Sequence, residues 1–225
     1  MERTALVTGG SSGIGLAIAR ALREDGYALT LASRTAEKVE AAATELDAYG
    51  VAADVSREED CERLVTAHRE RFGRLDVLVN SAGVGIAGRI EELSVKHIDR
   101  QLDVNLRGLI LVTRAAVPML KEAGGVVVNI ASIAAHASPS VLPVYAASKA
   151  GVVSFTRALN AALQEDGVRA TAISPAFVDT PMASYSGLAS EEMIRPEDCA
   201  ETVRLLLRLS PRARIPEVVI ERLCA

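Results

Sequence analysis

The chain has 225 residues, 49% of them apolar and 24% charged, with a formal net charge of −4. That is the composition of an ordinary globular domain, and with no tryptophan, 3% aromatics and scattered Lys and Arg it lacks the basic, aromatic-studded face of a nucleic-acid binder. No apolar run approaches the ~18 residues of a membrane helix, MERTALVTGG does not form a signal peptide, and Cys61, Cys199 and Cys224, odd in number and far apart, fit a reducing cytoplasm better than a disulfide framework.

Short β-branched runs alternate with helical patterns from end to end. Strands are predicted at 4 to 8 (TALVT), 28 to 33 (ALTLAS), 75 to 80 (LDVLVN), 125 to 132 (GVVVNIAS), 168 to 174 (VRATAIS) and 217 to 220 (EVVI), with a weaker candidate at 50 to 54 (GVAAD). Helices are predicted at about 13 to 25, 35 to 47, 57 to 72, 95 to 122, 143 to 165 and 197 to 209, the fourth bent at Pro118, which cannot donate a backbone hydrogen bond. The charge run SREEDCERL reads as a solvated helix face with a Ser56 cap and acidic residues in its first turn. His68, His97 and His136 have no metal-ligand spacing and read as surface or helix residues, with His136 in a loop that borders the substrate side. No metal site is expected.

Near-continuous apolar strands alternating with helices imply a parallel sheet covered on both faces, joined by right-handed crossovers. The fold class is therefore α/β, a single Rossmann-type doubly wound domain over 1 to 225 with about seven strands. Ligands bind beyond the carboxyl ends of such strands.

The first strand ends in TGGSSGIG, residues 8 to 15, and runs into a helix. Gly9 supplies a positive φ for the turn, Gly13 lets the backbone approach a phosphate, and Gly15 lets the helix pack closely. A pyrophosphate would lie at the helix N-terminus beside Ser11 and Ser12. The spacing is GxxxGxG, and the GK[ST] ending of an ATP-binding P-loop is missing. At the end of the second strand, Ser33 and Arg34 stand where an acidic residue would hold a ribose 2′-hydroxyl. An Arg without a carboxylate suits a 2′-phosphate, so NADP(H) is preferred, with NAD(H) possible.

With DVS at 54 to 56, NSAG at 80 to 83, Asn105 in VNLRG, Ser132 in IAS, Tyr145-Ala-Ala-Ser-Lys149 and SPAFVDTP at 174 to 181, the chain resembles the short-chain dehydrogenase/reductase family, 3-oxoacyl and other carbonyl reductases among them. The resemblance implies a Ser-Tyr-Lys-Asn catalytic site (Ser132, Tyr145, Lys149, Asn105). It implies a nicotinamide dinucleotide held by Gly9, Ser11, Ser12, Gly13, Ile14, Gly15, Ser33, Arg34, Asp54, Val55, Asn80, Ala82, Gly83, Tyr145, Lys149, Pro175, Val178 and Thr180. Asn105 would hold a water between Lys149 and solvent. Ser81 stands where the family more often has Asn, and Ala176 where it more often has Gly.

The chemistry follows from the residues. Positions i and i+4 share a helix face, so Tyr145 and Lys149 are neighbours. A phenol with a pKa near 10 is a poor base at neutral pH, and a nearby ammonium favours its phenolate. Tyr145 is then the acid that protonates a carbonyl oxygen and the base of the reverse reaction, and Ser132 donates to the same oxygen. Tyr and Lys at this spacing are common on solvated helices, and it is the company of Ser132 and the glycine turn that points to catalysis.

A short lid at about 182 to 198, with Met182, Tyr185, Leu188 and Met193 as its bulky residues, suggests an open pocket for a modest ketone, aldehyde or secondary alcohol. The apolar sides of the helices at 143 to 165 and 95 to 122 predict a homodimer or homotetramer. Three functions follow in order: an NADP-dependent carbonyl or 3-oxoacyl reductase, an NAD-dependent alcohol dehydrogenase, and a non-catalytic dinucleotide sensor.

Overall fold

The structure, a computed structural model, describes residues 2–184 and 186–223. Seven parallel strands form one sheet in the order β3-β2-β1-β4-β5-β6-β7. In chain order these are β1 (Thr4–Thr8), β2 (Ala28–Ser33), β3 (Tyr49–Ala52), β4 (Val77–Asn80), β5 (Val126–Ile130), β6 (Arg169–Pro175) and β7 (Glu217–Ile220). The helices are α1 (Gly13–Glu24), α2 (Ala36–Glu45), α3 (Glu58–Phe72), α4 (Val95–Leu102), α5 (Leu109–Ala123), α6 (Ala134–Ala137), α7 (Pro143–Ala162) and α8 (Pro196–Arg208).

The apolar strands are buried because both sheet faces are covered. On one face Val7, Leu29, Leu31, Val79 and Val128 pack with Ile18 and Leu22 of α1 and Val203 and Leu206 of α8. On the other, Leu6, Leu78 and Val127 pack with Leu64 of α3, Val112, Ala116 and Leu120 of α5, and Leu159 of α7. Each Leu or Val enclosed in this way stabilises the fold by about 1.5–3 kcal/mol. The order reverses between β1 and β4, which opens a crevice at their carboxyl ends.

The expected α/β fold and its seven strands are present. The weak β3 candidate is a true strand, shifted to 49–52. The helix expected at 95 to 122 is divided: α4 and α5 are joined by a π-helical segment at Asp103–Gly108, and α5 runs on through Pro118 to Ala123. The change in hydrogen-bonding pattern thus falls at Asn105 and its neighbours. Two details of the sequence reading are corrected around α3. Ser56 does not cap the helix, since its hydroxyl donates to Asp54 Oδ1 at 2.7 Å and the N-cap position belongs to Arg57. His68 is on a helix but not on the surface: it is fully buried, with Nδ1 at 2.8 Å from Thr30 Oγ1 and Nε2 at 2.9 Å from the Arg74 carbonyl. Burial pushes its pKa down to about 4, so the imidazole is neutral. Cys61 and Cys199 are free and buried, and Cys224 lies outside the described residues.

Candidate active site

The turn after β1 is stitched to the turn after β4, since Thr8 Oγ1 accepts from the backbone N–H groups of Ser81 and Ala82 at 3.2 and 3.3 Å. Gly9 has φ +67°, and a Cβ there would stand 2.8 Å from the Ala82 nitrogen. A Cβ on Gly15 would stand 2.3 Å from the Gly9 carbonyl oxygen. No side chain fits at either position, so the glycines hold the two turns together. The expectation for Gly15 shifts accordingly, because the backbone it approaches is the turn itself. Ser12 occupies the N-cap position of α1 without making a side-chain cap bond, which leaves the helix N-terminus facing the crevice.

Two clefts open from this junction and share Gly9, Ser12, Ala82 and Gly83. One, of about 190 Å³, is lined by Ser11, Ser33, Arg34, Thr35, Lys38, Asp54 and Val55, among others. Burial would raise the Asp54 pKa, but hydrogen bonds from the Ser56 hydroxyl and N–H, with Arg100 beside them, hold its carboxyl below the usual range. Neither Arg34 nor Lys38 has a carboxylate partner among the described residues, although Arg20, Arg23 and Arg204 on the neighbouring surface all do.

The other cleft, of about 260 Å³, carries Gly13, Ile14, Ser132, Tyr145, Lys149, Pro175, Val178 and Thr180 in its walls. Ser132 lies two residues past β5, and its oxygen accepts from the Ala134 N–H at 3.2 Å, so its own hydrogen is free to point into the cleft. Tyr145 sits in the first turn of α7, half-buried. One turn on, Lys149 is 5% exposed, its Nζ donates to the Ile130 carbonyl at 2.7 Å, and it stands 5.7 Å from the centroid of the Tyr145 ring. Burial pulls the Lys149 pKa from 10.5 down to about 8.

Asn105 is fully buried in the π-helical segment and lines neither cleft. Its Oδ1 accepts from Val84 N–H at 2.8 Å, and its Nδ2 donates to the Val84 carbonyl and to Ser148 Oγ. This side chain fixes the strand-end loop and the helix that carries Lys149, and so positions the site. Asn80 is a second departure. Its Nδ2 donates to Thr113 Oγ1 and Asn129 Oδ1 in the core, so its side chain braces β4 and does not reach the ligand space. Gly15 also lines neither cleft. Every other site residue named from the sequence lines one cleft or both. Missed in the sequence were Lys38, whose signal is its position four residues after Arg34, and the apolar wall of Ile133, Ala134, Pro139, Leu142 and Phe177, which carries no motif; Met182, named in the sequence as a bulky residue of the 182 to 198 segment, joins that wall. Of the segment expected to form a lid, Pro181–Ala183 and Ser190–Glu192 are single 3₁₀ turns and α8 begins at Pro196, while Tyr185 lies outside the described residues.

A family model for short chain dehydrogenases matches residues 3–190. The chain belongs to the short-chain dehydrogenase family. As a short-chain dehydrogenase it is an oxidoreductase, and it is similar over nearly its whole length to several relatives. An uncharacterized oxidoreductase of Staphylococcus aureus is 34% identical over 97% of this chain and 96% of its own. An alcohol dehydrogenase from the archaeon Thermococcus sibiricus, solved with 5-hydroxy-NADP, superposes with a TM-score of 0.91 at 34% identity, covering 98% of this chain and 96% of that one. A 3-ketoacyl-(acyl-carrier-protein) reductase from Brucella melitensis, solved with NADH, gives 0.91 at 31% identity, covering 97% and 96%. Among the described residues no helix of this short-chain dehydrogenase is long and apolar enough to cross a membrane, and no group of three or more His, Cys, Asp or Glu is placed to hold a metal ion.

Proposed function

We propose that the protein is an NADP(H)-dependent carbonyl reductase that interconverts a ketone or aldehyde and the corresponding alcohol. The observation that carries this is the continuity of the two clefts, which joins Ser132, Tyr145 and Lys149 through the glycine turn to the cations Arg34 and Lys38. The residues fit a dinucleotide. A glycine cradle that any Cβ would fill faces the N-terminus of α1, and Arg34 and Lys38, with no carboxylate partner among the described residues, line the cleft where a 2′-phosphate would lie.

Bound nicotinamide would supply the hydride. The rest of the chemistry belongs to this chain. Ser132 Oγ–H holds the substrate oxygen as charge develops on it, and Tyr145 delivers a proton to that oxygen. Lys149 stabilises the tyrosinate left behind and is in reach of a ribose hydroxyl. Asn105 keeps the 83–85 loop and Ser148 in register with both. Arg34 and Lys38 set the preference for a phosphorylated cofactor, and Asp54 and Val55 frame the adenine end.

Apart from Arg157, which pairs with Glu217, the exposed positions of α7 are small residues, Ala147, Ala150, Ser154, Ala158, Ala161 and Ala162, a surface that a second copy can approach closely. This supports a homodimer or homotetramer, checked by sedimentation for species above 23.7 kDa. Free, buried Cys61 and Cys199 support a cytoplasmic location. The central test is oxidation of NADPH against NADH over a panel of ketones, aldehydes and 3-oxoacyl thioesters. NADPH-dependent reduction is expected, and binding of NADPH without turnover of any carbonyl would overturn the reading in favour of a dinucleotide sensor.

A further inference from the structure

The substrate half of the cleft is defined by what it lacks. Beyond Ser132 and Tyr145 its wall consists of Ile133, Ala134, Pro139, Leu142, Phe177 and Met182. Among the described residues, the only ionisable side chains in the lining are Tyr145 and Lys149, and Lys149 is 5% exposed, with one N–H given to the Ile130 carbonyl and its charge assigned to Tyr145. A carboxylate or phosphate beside the reacting carbonyl would be stripped of water with no countercharge, and an ammonium would fare no better.

The rim adds a second, independent constraint. The loop at 84–92 flanks the mouth, with Gly85 against the Tyr145 ring and Gly88 N–H bonded to the Val141 carbonyl at 2.9 Å. On the other side run residues 177–184 and 186–195. The two cations on these segments are neutralised locally, Arg89 by Glu91 and Arg195 by Asp198, each at 2.7 Å. His136, at the third edge, is bonded to Glu217 at 2.6 Å. Glu92, Asp179, Glu191 and Glu192 remain, with no cationic partner among the described residues; Asp179 is bonded to the Ser190 hydroxyl beside the two glutamates. These two segments, which adjoin the wall at Gly85 and at Phe177 to Ala183, therefore carry net negative charge, which repels anions as they approach.

We propose that this reductase takes a free, uncharged and apolar ketone or aldehyde, and discriminates against oxo acids and against thioesters carried on a polyanionic handle. The inference rests on the reductase reading above and narrows its substrate class. The dinucleotide itself enters through the cationic cleft, so the acidic rim bears on the carbonyl partner alone.

The test compares matched pairs by kcat/KM with NADPH: ethyl 2-oxobutanoate against 2-oxobutanoate, and the N-acetylcysteamine thioester of a 3-oxo acid against its coenzyme A thioester. The neutral ester is expected to exceed the acid by ~100-fold or more, and the short neutral thioester to exceed the coenzyme A form by ~10-fold, the scale of one uncompensated and one repelled charge. Met182→Arg, a change at an exposed wall position, supplies the missing countercharge and is expected to raise the acid relative to the ester by ~10-fold. Calorimetric titration of NADP+ into the same variants monitors cofactor binding separately. An acid reduced as well as its ester, or a coenzyme A thioester preferred to the short one, overturns this inference and leaves the reductase standing. Failure of every neutral carbonyl, with NADP+ still bound, overturns the reductase reading and the inference together.

Discussion

The two clefts share a wall at Gly9, Ser12, Ala82 and Gly83 yet treat charge in opposite ways. On the β2 side Arg34 and Lys38 are exposed and unpaired among the described residues, ready to meet an anion at little desolvation cost. On the β5 side Lys149 is buried, and loss of water pulls its pKa down to about 8. The difference teaches that one residue type serves two ends: a solvated cation binds, and a desolvated one tunes a neighbour.

The sharpest way to break this division of labour is Tyr145→Phe, which removes one hydroxyl from the β5-side cleft. Turnover should fall by about 10²–10⁴-fold, while NADP+ affinity, read by calorimetry, changes far less; equal losses in both would mean the clefts do not act separately. Next in size is the cost of burying Lys149. Its folded pKa of about 8 lies below the ordinary 10.5, so between these values the unfolded chain keeps a proton that the folded chain has shed, and stability should rise with pH. The gain is up to ~3 kcal/mol across the window, and below about pH 8 the full penalty is present. Urea unfolding of the wild type and Lys149→Met at stepped pH should show the extra slope in the wild type alone. On the β2 side, Arg34→Ala should weaken NADP+ binding by about 10–100-fold, the loss of one charged hydrogen-bonding partner, and leave NAD+ nearly unchanged. The smallest effect is expected from Lys38→Ala, about 2–5-fold on NADP+ only, in keeping with a more solvated contact. If NAD+ falls in step with NADP+ in either variant, the cations do not read the 2′-phosphate.

Legibility in the sequence followed the physics. The parallel sheet was readable because strands such as TALVT and VVVNI must be apolar on both sides, and the glycine turn because Gly9 and Gly15 leave no room for a Cβ. Ser132, Tyr145 and Lys149 were readable as a motif anchored at a strand end and a helix start. The bracing role of the Asn80 side chain was not legible because a short polar residue at a strand end looks the same whether it faces a ligand or, as here, Asn129 on the paired strand. The burial of His68 on its helix was not legible because its partners, Thr30 and the Arg74 carbonyl, lie on other elements and leave no local pattern. The apolar wall of the substrate cleft comes from three separate loops, and nothing in any one of them marks Leu142 or Phe177 as facing the same space.

The π-helical segment at Asp103–Gly108 has a consequence for the length of the chain. A π turn closes its hydrogen bonds one residue later than an α turn, and each residue advances a helix by about 100°. The segment therefore acts as a phase shifter: α4 can offer Gln101 to the Ile86 N–H at 3.1 Å while α5 still turns Val112, Ala116 and Leu120 toward the sheet. Deleting a single residue here would bring the two helices into continuous phase and rotate one set of contacts out of place. Loss of one residue from the exposed 210–213 loop has no comparable lever, so two deletions of equal size would differ in whether an active site survives.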